Sequence, residues 1–203
     1  QAYGDVGEGI DFLEYYARDM LRLSVPRAWA ARPASTTSCS TSKGVAAVIA
    51  PWNFPFAIAM GMVSAAIVTG NPVVFKLRPV LGLGYNLVEI FKEVGLPAGV
   101  FNYCPGQSSV MGDYLVEHPD ISLICFTGSM DVGLHIVEKA AKVQPGQRQV
   151  KRVIAEMGGK NATIVDDDAD LDEAVSQVVY SAFGFQGQKC SACSRVIVLD
   201  AIY

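Results

Sequence analysis

Apolar and polar positions follow two different rhythms along this chain. Over residues 5–23, Ile10, Leu13, Ala17, Met20 and Leu21 recur near one face at helical spacing, with acids early and Arg18 and Arg22 late. That pattern predicts an amphipathic helix. Residues 26–43 lose all period. Their stretch 36–42 is small and polar, so the expectation is an irregular surface segment. From Gly44 onward, short apolar runs alternate with longer ones. Strands are predicted at 45–50, 72–76, 100–103, 121–126 and 152–155, the first a short apolar run of the kind buried on both faces. Helices are predicted between them at 56–68, 83–94, 109–116 and 131–142. Gly70 closes the first, Gly95 with Pro97 closes the second, and the last turns Val132, Ile136 and Ala140 inward. Strand and helix alternating over short connections imply an α/β fold, a doubly wound, mostly parallel open sheet. A further strand-like run occupies 195–199.

The apolar stretch 45–69 raises the question of a membrane span. Pro51, Asn53 and Pro55 interrupt it, and the clean part, 56–68, is shorter than the roughly 18–20 residues a span needs. A buried helix is expected instead, and no membrane. Composition narrows the class further. The 203 residues are 51% hydrophobic and 18% charged, which excludes disorder as the general state and suits one or two domains. Sixteen basic residues against 20 acidic ones leave a net charge of −4, with no basic run, so nucleic acid is not an expected partner. Five cysteines make no disulfide framework, and the reading is a reducing, cytoplasmic compartment. The chain starts at Gln1 and stops just after a strand-like run, so a segment of a longer protein is expected.

Ligands of such sheets bind at the carboxyl ends of the strands. The residues that carry chemistry fall there: Asn53 after the first strand, Lys76 at the end of the second, Gly106 after the third, Thr127-Gly128-Ser129 after the fourth and Glu156 after the fifth. Phe126-Thr127-Gly128-Ser129 would offer backbone N–H groups and a helix dipole to a pyrophosphate. It also reads as a plain strand–helix turn with Ser129 as N-cap, and the dinucleotide fingerprint G-x-G-x-x-G is absent. Pro51-Trp52-Asn53-Phe54-Pro55 is a rigid bend whose Asn53 amide suits an oxyanion; alternatively it is only a connector. Glu156, before the glycine pair Gly158-Gly159, is either a general base acting through water or a solvated strand-end acid. Cys190-Ser191-Ala192-Cys193 admits a metal pair, a redox dithiol or a single nucleophile. Zinc would need two more ligands, and His118 and His135 lie on unrelated elements. The single nucleophile is preferred, with Lys189 and a nearby helix N-terminus lowering its thiol pKa. Cys39, Cys104 and Cys125 read as structural.

Taken in order, Pro51-Trp52-Asn53-Phe54-Pro55, Lys76, Phe126-Thr127-Gly128-Ser129, Glu156-Met157-Gly158-Gly159-Lys160 and Gly187-Gln188-Lys189-Cys190 resemble the aldehyde dehydrogenase superfamily over nearly all of 44–203. The runs 14–18, 151–160 and 182–195 are most similar to its bacterial 1-pyrroline-5-carboxylate dehydrogenase branch. The resemblance implies an NAD(P)-binding domain at 1–155, with 26–43 irregular, and a truncated N-terminal part of a catalytic domain at 156–203. It implies oxidation of glutamate-γ-semialdehyde to glutamate, a step of proline degradation, through a cysteine thiohemiacetal and thioester. Cys190 would be the nucleophile, Asn53 the oxyanion donor and Glu156 the base for hydrolysis. Lys76 would contact the adenosine ribose, Trp52 and Ser129 the pyrophosphate, and Gly106 and Val110 the adenine. Ile49, Ala50, Pro51, Phe126, Thr127, Gly128, Val132, Met157 and Gly158 would complete the cofactor site. Phe54 and Ser191 would line the substrate pocket, and no metal is implied. Pro79 stands where the family carries a ribose-binding acid, and Arg78 beside it suits a 2′-phosphate. The cofactor expected is NAD, with NADP as the alternative. The family's later Glu-x-Phe-Gly-Pro motif is not in this sequence. A homo-oligomer is implied for the full-length protein. The rival readings are an aldehyde dehydrogenase of other specificity, a non-catalytic nucleotide-binding fragment, and a C-x-x-C metal or redox protein.

Overall fold

A computed structural model describes residues 1–24, 27–28, 37–38, 42–77 and 80–203. The predicted positions of Arg78, Pro79 and Cys39 lie outside these residues. The chain divides into two units, Gln1–Glu156 and Met157–Tyr203.

The first unit opens with helix α1 (Ala2–Ser24). Strands β1 (Arg27–Ala28) and β2 (Thr37–Ser38) then pair antiparallel, Arg27 opposite Ser38. The polar run there predicts irregular structure; a two-residue ladder forms within it, which a periodicity reading cannot detect. The alternation that follows is β3 (Val45–Ala50), α2 (Ala57–Val68), β4 (Val73–Leu77), α3 (Leu81–Glu93), β5 (Phe101–Tyr103), α4 (Ser108–Glu117), β6 (Ile121–Thr127), α5 (Met130–Ala141) and β7 (Arg152–Glu156). All five predicted strands and all four helices between them are present. They form one parallel sheet in the order β5-β4-β3-β6-β7. The chain winds from β3 out to β5, then returns through α4 to place β6 on the other side of β3. The winding reverses between β3 and β6, the point at which such sheets open a crevice.

The core lies around β3 and β4, where Val48, Phe75 and Leu77 are fully buried, and it continues through Met60 and Val63 of α2. Helix α2 carries no charged residue, consistent with burial. It packs against α1: the space of a Gly9 Cβ is taken by the Phe56 ring, and Phe12 lies against Gly61. No helix among the described residues is long and apolar enough to cross a membrane. The apolar stretch 45–69 is therefore a strand, a bend and a buried helix.

Two local expectations need correction. Val132 is 48% exposed, although Ile136 and Ala140 of the same helix are buried. Val132 sits in the first turn of α5, next to the carboxyl end of β6. Ser129 holds the N-cap position with extended backbone (φ −74°, ψ 151°), but its hydroxyl makes no capping hydrogen bond.

The second unit is a right-sized strand–helix–strand piece: β8 (Asn161–Val165), α6 (Leu171–Phe183) and β9 (Cys193–Val198), with the two strands parallel. Only β9 is anticipated by the apolar pattern. Asp170 caps α6 by accepting from the Glu173 N–H at 3.1 Å. A tight turn, Gly184–Gly187, follows α6.

Candidate active site

The carboxyl ends of β3 and β6 border a cleft of about 520 Å³. Ile49, Ala50, Pro51 and Trp52 enter it from β3 and the bend after it, Lys76 from β4, and Phe126, Thr127, Gly128 and Ser129 from β6. Val132 of α5 completes the wall. This explains its exposure: it faces the crevice rather than the core. These ten predicted cofactor residues are brought together by the reversal of strand order. Gly106 and Val110 do not line the cleft; Val110 is exposed on α4, and Met111 fills the space beside Gly106. Met157 and Gly158 belong to the second unit.

Lys76 is only 4% exposed, and its Nζ donates to Ser108 Oγ at 3.1 Å. Its side chain lines the cleft from below. Ser108 was not predicted. It heads α4, far from Lys76 in sequence, and only the fold makes them neighbours. A second cavity of about 320 Å³ shares Ile49, Lys76, Ser108 and Val132, and continues between α4 and α5. On its wall Asp113 accepts from His135 at 2.8 Å, and these contacts with His135 and Lys139 hold the Asp113 carboxyl below its usual range. Gly128 is kept bare by the Phe126 ring, which occupies the space of a Cβ. Ser129 and Val132, at the start of α5, line the cleft, so the positive end of that helix borders it, a position suited to an anionic ligand. A polar floor, an apolar continuation and a buried lysine together fit a dinucleotide.

Asn53 and Phe54 are half-buried in the bend between β3 and α2. Glu156 is the last residue of β7, paired with Thr127; its side chain is exposed and its carbonyl accepts from Gly128 N at 3.0 Å. Gly158 adopts φ +86°, a conformation that needs glycine.

In the second unit Cys190 is exposed and Cys193 is buried, and both are free thiols. The Asn161 amide, at the start of β8, donates to Cys190 O at 2.9 Å and to Ala192 O at 3.3 Å, holding the turn around the cysteine. Cys193 Sγ accepts from Thr163 Oγ1 at 3.2 Å and donates to Arg195 O at 3.1 Å; the Thr163 hydroxyl draws this thiol below its ordinary pKa. The Lys189 ammonium lies over the Tyr180 ring at 4.9 Å. Ser191 is exposed beside Cys190. Asn161 and Thr163 were missed in the sequence because they serve through partners about 30 residues away. Cys125, inside β6, is pushed up to about 11 by burial and stays a thiol at neutral pH. Cys104 is half-buried at the end of β5.

Just before Cys190 the backbone is strained. Phe185 (φ 55°, ψ 35°) and Gln186 (φ 59°, ψ 26°) are left-handed without being glycine, and Gly187 follows at φ 69°. Each such non-glycine residue costs on the order of 1–3 kcal/mol, and this strain concentrates at functional sites.

The sequence matches the aldehyde dehydrogenase family over residues 1–203, and the chain belongs to that family. Among curated proteins it is 54% identical to the 1-pyrroline-5-carboxylate dehydrogenases of Geobacillus thermodenitrificans and Anoxybacillus flavithermus, over all of this chain and 40% of each relative. Among solved structures, 1-pyrroline-5-carboxylate dehydrogenase from Thermus with bound NAD superposes with a TM-score of 0.91 at 48% identity, over 98% of this chain and 39% of that one. Proline utilization A from Bdellovibrio bacteriovorus does so with a TM-score of 0.92 at 55% identity, over 98% of this chain and 21% of that one. The chain therefore spans about 40% of the length of the curated relatives it matches.

Proposed function

We propose that residues 1–155 bind NAD and that residues 156–203 begin the catalytic domain of an enzyme that oxidises glutamate-γ-semialdehyde to glutamate, in the cytoplasm and as a step of proline degradation. The cleft at the β3/β6 reversal, floored by buried Lys76, is the observation that carries the cofactor reading. The NAD-bound Thermus relative supports it. Lys76 and Ser108 would hold the adenosine ribose, and Trp52 with the first turn of α5 the pyrophosphate. The nicotinamide, when bound, supplies the acceptor for the aldehyde hydride.

The rest of the chemistry belongs to side chains. The Cys190 thiolate attacks the aldehyde carbon, a C–S bond forms, and the carbonyl electron pair moves to oxygen. The Asn53 amide and the Cys190 N–H donate to that oxyanion. After oxidation the acyl group remains on sulfur as a thioester. Glu156 takes a proton from water as the water attacks the thioester carbonyl, the Cys190 thiolate leaves, and the acid is released.

Two measurements test the reading. Lys76→Met keeps the length of the side chain and removes its charge. A hydrogen bond to a charged group is worth about 1.5–3 kcal/mol, so calorimetric titration should show NAD affinity falling about 10- to 150-fold. Unchanged affinity would remove Lys76 from the site. The substrate is tested at Ser191, which would donate to the far carboxylate while Phe54 packs on the methylenes. In a polypeptide carrying these residues at the full length of the relatives, Ser191→Ala should lower kcat/KM for the semialdehyde by about the same 10- to 150-fold. A simple aliphatic aldehyde should be nearly unaffected. Equal losses on both substrates would mean that Ser191 supports Cys190 and does not read the carboxylate.

A further inference from the structure

We infer that Asp5, on a helix outside the cleft, is a positioning residue for the bend at 51–55 and so for Asn53 and Trp52. The inference rests on the reading of those two residues given above.

The bend runs directly into α2, and the first turn of any helix leaves N–H groups that need acceptors. Locally, Ile58 N donates to Phe54 O at 3.3 Å, but the N-cap residue Phe56 makes no side-chain capping bond, and the Phe56 and Ala57 N–H groups find their acceptor elsewhere. The acceptor comes from α1, 51 residues earlier. Asp5 Oδ2 accepts from Phe56 N at 3.1 Å, and Oδ1 accepts from Ala57 N at 2.9 Å. Both carboxylate oxygens are thus engaged by consecutive N–H groups, and Asp5 is buried at 8% exposure. Its negative charge also meets the positive end of the α2 dipole.

Two-point attachment does more than satisfy donors. One hydrogen bond leaves the chain free to pivot about it, whereas two on adjacent residues fix the direction in which the chain enters the helix. The packing agrees. Gly9, one turn beyond Asp5 on the same face of α1, is open to the Phe56 ring, whose edge takes the place of a Cβ. Phe56 is therefore seated from behind by its backbone and by its ring. On the other side of the same bend, Pro51 and Trp52 line the cleft. Movement of Phe56 would pass through Pro55 and Phe54 to Asn53, because the two prolines leave the bend little torsional freedom to absorb it.

A purely structural role is the competing explanation, and it can be separated. Phe12 joins α1 to α2 further along, against Gly61, and makes none of the hydrogen bonds at the start of α2. Asp5→Ala, Asp5→Asn and Phe12→Ala are compared in this chain, well below their melting temperatures. Amide hydrogen exchange is read without ligand, and NAD affinity is read by calorimetry. In Asp5→Ala, exchange at residues 53–57 should rise at least about tenfold, the effect of losing a bond to a charged acceptor, and NAD should bind about tenfold more weakly. Asp5→Asn keeps one oxygen acceptor and should fall between; it carries the test if the alanine variant does not fold. Phe12→Ala should lower the melting temperature while leaving exchange at 53–57 and NAD affinity near wild type. Unchanged exchange at 53–57 in the Asp5 variants, or an equal change in Phe12→Ala, overturns the inference. Wild-type chain that fails to bind NAD overturns the cofactor reading instead, and the exchange data still decide the role of Asp5.

Discussion

Cys190→Ala should reduce aldehyde oxidation to background in a polypeptide that carries these residues at the full length of its relatives, while NAD binding survives. The reason is division of labour: the cofactor cleft is built within the first unit, and Cys190 lies in the second. Without its sulfur no covalent adduct forms, and no neighbour is placed to substitute. Cys193 is buried, its sulfur takes the Thr163 hydroxyl, and its proton is given to Arg195 O. Its lowered pKa reflects those contacts and not an open reactive face. Cys193→Ser should keep both hydrogen bonds and most of the activity. Cys125, pushed up to about 11 by burial, should resist alkylation at neutral pH, whereas the exposed Cys190 should be labelled. If Cys193→Ser proves as damaging as Cys190→Ala, the assignment of a single nucleophile is wrong.

Glu156→Gln should separate the two halves of the reaction. The amide keeps the size of the side chain and loses the ability to take a proton. General-base assistance contributes about 10²- to 10⁴-fold, and that loss should fall on thioester hydrolysis. Rapid mixing of enzyme, NAD and aldehyde should show a burst of reduced cofactor of about one equivalent, followed by slow turnover. A first turnover as slow as the later ones would move Glu156 to another role. Glu156 ends β7 with its main chain tied to Gly128 and its side chain exposed, and Gly158 follows in a conformation that permits a sharp turn.

The central strands were legible because parallel strands buried on both faces read as largely apolar runs. Val45–Ala50 and Ile121–Thr127 are of this kind, and both lie in the middle of the sheet. The strand β8 was missed for the opposite reason. It begins with Asn161, carries Thr163 in its middle, and only Val165 in it is buried. Helix α6 was also unpredicted, although Asp170 followed by Glu173 is a recognisable helix start. At the site, the motif residues lie where the ends of strands were expected. Ser108, Asn161 and Asp5 were not singled out, since each is ordinary in its own neighbourhood and acquires its role from a distant partner.

The sequence alone determined the order of strands and helices over residues 45–156, the class of sheet and the candidate residues for chemistry at the strand ends. Those properties follow from local periodicity and from side-chain type, both of which are written continuously along the chain. Only the tertiary structure decided that winding reverses between β3 and β6, that Lys76 is buried beside Ser108, that Val132 faces a cleft, and that the start of α2 is capped from α1. These depend on contacts between residues tens of positions apart. Such contacts are selected by the burial of apolar faces and the pairing of polar groups in the assembled fold, and the spacing of neighbours along the chain does not encode them.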